Sequence, residues 1–85
     1  MIFLIEYDRH RGCLVNLTRF HETERLKAEN TRLQIELDLH RKGVQREVVL
    51  LEAAGEKALR RTHRRYFEDL RQLTTSGSEA FAQIK

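Results

Sequence analysis

The chain has 85 residues, enough for one domain but too few to bury a large core, and with 40% hydrophobic residues and no tryptophan that core must come from Leu, Ile, Val and Phe. Charged residues make up 34% with both signs interleaved, which excludes the low-hydrophobicity, one-signed composition of a disordered tail. The formal net charge is +3, and no apolar run approaches the roughly 18–20 residues that a membrane span requires.

Residues 2–7 (Ile-Phe-Leu-Ile-Glu-Tyr) are apolar on both alternating faces until Glu6, which suits a central strand covered on both sides. Asp8-Arg9-His10-Arg11-Gly12 reads as a turn, with Gly12 placed to take a positive φ. Residues 13–20 continue as a second strand. Strict alternation puts Cys13, Val15 and Leu17 on one face and Asn16 and Thr18 on the other, the pattern of a half-exposed edge. Cys13 is the single cysteine, so no internal disulfide is available, and it reads as a small apolar strand residue. Residues 1–5 lack the basic leader of a secretory signal, and a reducing cytoplasm is the expected compartment.

From residue 22 to 42 the period becomes helical, with Glu22 and Glu24 in the first turn and Arg41 and Lys42 in the last, as the helix dipole prefers. Gly43 supplies a left-handed terminator and Val44 its hydrophobic follower. The N-cap is unclear, since neither His21 nor Thr23 suggests an ordinary capping box. Two stripes run along this helix. Leu26, Asn30, Leu33, Leu37, His40 and Val44 alternate four and three apart, the a/d series of a zipper with asparagine at an a position. The run holds under three heptads and ends at a glycine, so it reads as the face packed on the sheet. Ala28, Ile35 and Leu39 form a narrower line on the opposite side, beside Thr31. With the first stripe buried, this second one becomes a further contact surface, for the last helix or for a symmetry mate; it is the expected partner interface, and a homodimer the expected assembly.

Residues 47–53 return to strand around Val48-Val49-Leu50-Leu51, apolar on both faces. The order is ββαβα, an α+β fold. A three-stranded sheet follows, with residues 2–7 in the centre, 13–20 on one side, 47–53 on the other, and two helices packed on it. Residues 47–53 then form an edge apolar enough to call for a fourth strand from a second subunit, or for cover by the C-terminal tail.

Gly55 can cap a last helix over residues 56–73, which holds six Lys/Arg against three Asp/Glu while the rest of the chain has ten of each. Leu59, Tyr66, Leu70 and Leu73 line one face; Arg60, Arg61, Arg64, Arg65 and Arg71 lie across the other. Arginine's planar fork suits phosphate, so a nucleic-acid-binding module is the alternative reading of the chain. Against it stand the i,i+4 pairs Glu56–Arg60, Arg64–Glu68 and Arg65–Asp69, which partly neutralise the patch. Residues 1–73 make the expected single domain, and 74–85 a tail that is flexible or adds one short helical turn.

No catalytic or cofactor signature is present. His10, His21, His40 and His63 are dispersed, with no metal-ligand spacing among them, and the four glycines sit singly. Neither an enzyme nor a cofactor is expected. The segments Glu6-Tyr7-Asp8-Arg9 with Gly12, Val48-Val49-Leu50-Leu51-Glu52-Ala53 and residues 58–67 resemble short hypothetical bacterial proteins with no assigned activity. That resemblance implies a bacterial cytoplasmic protein and nothing about function. The leading expectation is a non-enzymatic homodimeric protein-interaction module working through Ala28, Ile35 and Leu39.

Overall fold

A computed structural model describes residues 1–68. Strand β1 (Ile2–Asp8) lies at the centre of a three-stranded sheet of order β2-β1-β3, flanked by β2 (Cys13–Phe20) and β3 (Glu47–Glu52). Both neighbours run antiparallel to β1, so the link between them must cross it. That link carries a 3₁₀ turn (Glu22–Glu24) and helix α1 (Arg25–Lys42); α2 (Glu56–Thr62) and a second 3₁₀ turn (Arg64–Phe67) follow β3. The α+β architecture, its element order and the central position of the first strand match the sequence pattern.

The central strand is apolar on both faces because each face has its own cover. Ile2 and Leu4 point to one side, where they pack with Phe20, Val48 and Ala28, flanked by Ile35, Leu39 and Leu50. Phe3, Ile5 and Tyr7 point to the other and pack with Leu59 and Tyr66. The sheet is thus the middle layer, with α1 over one face and α2 with its 3₁₀ turn over the other.

Two local details depart from the simple alternation. The β1–β2 register pairs Glu6 with Asn16 but Tyr7 with Leu14, so Val15 is the extra residue of a bulge. Leu14 and Leu17 therefore share the Tyr66 side, while Val15 turns outward at 42% exposure. At the start of the helical segment, the His21 amide donates to Glu24 Oε1 (2.9 Å) and the Thr23 amide to His21 Nδ1 (3.3 Å). This is the capping-box exchange with histidine in the place of serine or threonine, which is why the usual residue pattern did not show it.

The other end of α1 follows expectation. Gly43 has φ +71°, its amide donates to His40 O (3.1 Å), and the Val44 amide donates to Leu39 O (2.9 Å), the paired bonds of a Schellman stop. A Cβ at Gly43 would touch nothing within 4 Å, so the objection to a side chain is backbone strain alone. Gly43→Ala should cost about 1–2 kcal/mol, read as a fall in Tm of about 4–8 °C per kcal/mol for a domain of this size.

The last helix is shorter than expected. It ends at Thr62, where the hydroxyl donates back to Ala58 O (3.0 Å) and His63 leaves helical geometry at φ −126°, ψ 53°. The 3₁₀ turn then lays Tyr66 on the sheet. The expected continuation to residue 73, with Leu70, Arg71 and Leu73, lies outside the described residues, as does the 74–85 tail. Within the described residues no strand pairs with the outer edge of β3, although both its faces are covered by helices.

Candidate functional site

The two stripes of α1 are reversed from their expected roles. Ala28 is fully buried against Ile2, Leu4, Phe20 and Val48, and Ile35 and Leu39 pack beside it. These three residues, expected to meet a partner, are instead the contact with the protein's own sheet. The physical reason is close approach: Ala28 presents no side chain beyond Cβ, so the helix backbone can settle onto β1 and β3 along that line. A leucine face would hold it further off. Arg25 at the start of the helix pairs with Glu52 of β3, and Arg46, in the link that follows the helix, pairs with Glu6 of β1 at 2.6 Å.

What remains outside is the zipper series. Leu26 is 71% exposed, Leu37 51%, Leu33 50% and Val44 38%, with Asn30 and His40 exposed between them. Single exposed leucines are ordinary, but three leucines at a/d spacing on one 18-residue helix form a stripe, and Val44 continues the apolar surface just past its glycine stop. The helix also carries charge in order. Lys27, Gln34 and Arg41 border the stripe on one side, and Glu29 and Glu36 on the other, the e and g positions of the same heptads. Sequence reading found the stripe and its asparagine; it missed only that the sheet takes the opposite face.

The arginine-rich segment also rearranges. Arg60 and Arg61 sit on α2, whereas Arg64 and Arg65 sit on the 3₁₀ turn, so they do not extend along one helical face. Arg60 is held by Glu56 (2.8 Å) and stacks on Phe67, its guanidinium carbon 4.5 Å from the ring centre. Arg65, expected beside Asp69, reaches across to β3 and donates to Glu47 Oε2 at 2.7 Å. Arg64 lies 3.8 Å from Glu68, and among the described residues Arg61 has no carboxylate partner. Arg71 lies outside the described residues.

Arg65 belongs to a small network that closes the second layer. The Tyr66 hydroxyl donates to Glu47 Oε2 at 2.5 Å, and Arg65 lies 4.1 Å over the Tyr66 ring, which meets Tyr7 edge-on at 5.3 Å. Glu47 Oε1 is buried without a hydrogen bond, with Arg9 Nε 3.8 Å away. Burial raises the Glu47 carboxyl, but the Tyr66 hydroxyl and the Arg65 guanidinium outweigh it, and its pKa falls below the usual 4.5. Burial first, and then the carboxylate it faces, push Tyr66 up from 10.0 to about 12.

The signs give opposite limits. Glu47 contributes stability above pH 4.5 that is lost as pH falls through its lowered pKa. Tyr66 contributes stability below pH 10.0 that is lost as pH climbs toward about 12. A difference titration of tyrosinate absorbance between the wild type and Tyr66→Phe should place Tyr66 near 12, and Glu47→Gln should lower that value and flatten the acid limb of stability. This network is built from the chain's own groups and ties the second 3₁₀ turn to the sheet.

Comparison with family models, curated proteins and solved structures found no match. Among the described residues, no helix is long and apolar enough to cross a membrane, and no cluster of three His, Cys, Asp or Glu is placed to hold a metal ion.

Proposed function

We propose that this chain is a non-enzymatic homodimeric protein-interaction module that associates through the outer face of α1. The observation that carries the proposal is the exposed series Leu26, Leu33 and Leu37, with Asn30 among them, on a helix whose other face is already fixed to the sheet. A free helix of this length is marginal in water, but α1 is ordered before it meets a partner, so association carries little folding cost. The a/d spacing is the pattern that another helix with the same spacing interlocks with, and a second copy supplies one.

Light scattering on the intact chain tests this. The expected mass at high concentration is twice 10.1 kDa, and a single 10.1 kDa species across the concentration range overturns the proposal. The nucleic-acid reading draws less support than before, because Arg60 and Arg65 are engaged by Glu56 and Glu47.

A further inference from the structure

We infer that the two copies pair in parallel, in register, about a two-fold axis that passes beside Asn30. The inference rests on the dimer reading above and adds its orientation. The apolar series can pair in a parallel arrangement or in an antiparallel one. In the parallel one each a or d residue meets its own copy, so Asn30 faces the partner's Asn30, where the two amides can hydrogen-bond to each other. In the antiparallel one, centred on Ile35, Leu33 faces the partner's Leu37 and Asn30 faces the partner's His40.

The flanking charges decide between them. In parallel pairs a g residue lies beside the e residue five positions on in the partner. This sets Glu36 beside the partner's Arg41 and Glu29 beside the partner's uncharged Gln34. Antiparallel pairing instead sets Lys27 against the partner's Arg41, and Glu36 against the partner's Glu36. Every charged contact is attractive in one arrangement and repulsive in the other.

The existing ion pairs leave the decisive contact free to form. Arg41 now bonds Asp38 at 3.0 Å, but Lys42 holds the same carboxylate at 3.0 Å, so Arg41 can turn to a partner without stranding Asp38. Among the described residues, Glu36 is held only by Arg32, at 3.8 Å. The Glu36–Arg41 contact therefore carries the choice. The fold permits the arrangement, since Ala28 and Ile35 occupy the f position, directly opposite the seam, and place both sheets on the outside.

Disulfide trapping tests the orientation. Asn30→Cys is made in a Cys13→Ser background and oxidised as the intact folded chain. In the parallel dimer the two introduced thiols face each other, and nearly all of the chain should become a covalent dimer. In the antiparallel dimer each residue 30 lies ten residues from its own copy, roughly 15 Å along the axis, beyond the about 7 Å Cα separation a disulfide can span. Failure to cross-link, in a variant that light scattering still shows to be a dimer, overturns the parallel arrangement and leaves the dimer standing. So does a mixed disulfide formed between Asn30→Cys and His40→Cys chains. A monomeric wild type overturns both.

Discussion

Phe3→Ala should cost about 3–5 kcal/mol, the largest loss expected from any single truncation of this chain. Phe3 is fully buried in the centre of β1, in the cluster that also holds Ile5, Tyr7, Leu59 and Tyr66. Its ring is what α2 and the 3₁₀ turn rest on, and a seven-residue helix cannot persist without that surface. A domain of this size has about 0.05–0.15 kcal/mol of stability per residue, so the loss takes a large share of the whole. Chemical denaturation monitored by circular dichroism should show the midpoint collapse, and the second layer should become open to proteolysis first. The Leu33 and Leu37 side chains, outside the core, should not behave this way.

Changing Leu33 and Leu37 together to Glu should abolish association while leaving the fold intact. Full burial of a leucine is worth about 1.5–3 kcal/mol, and these two are already half covered. Each therefore stands to contribute about 1 kcal/mol, four side chains per dimer about 4 kcal/mol, and the dissociation constant should rise roughly thousandfold or more. Facing carboxylates across the seam add to this. Stability of the monomer should move little, within about 0.5 kcal/mol per site, because both positions are exposed and Glu is nearly as good a helix former as Leu. Sedimentation velocity with a parallel thermal melt separates the two effects.

Much of the fold was legible in the chain. The two-faced run Ile2–Tyr7 placed that strand in the centre, Gly12 and Gly43 marked a turn and a helix stop, and both take positive φ, 68° and 71°. What alternation and periodicity could not supply was any contact between segments distant in sequence. The helix had two apolar stripes, and counting favoured the heavier one for the core. The lighter stripe is buried because Ala28 permits close packing, a matter of shape that a hydrophobicity count ignores. Val15 broke the alternation of β2 through a bulge that no local residue announces. The last helix stopped early because Tyr66 finds Glu47, nineteen residues away in the chain. The candidate interface was legible as a pattern of residues, and only its direction was not.

The central claim is that α1 buries Ala28, Ile35 and Leu39 on its own sheet and offers Leu26, Leu33 and Leu37 to a second copy. Measuring mass and melting temperature together for Leu33→Glu and Ile35→Glu tests it most directly. The expected result is a folded monomer with a near-native melt for Leu33→Glu, and a strongly destabilised protein for Ile35→Glu, whose carboxylate would enter the core beside Leu4 and Val48. A folded monomer from Ile35→Glu, with Leu33→Glu losing its fold, would contradict the account.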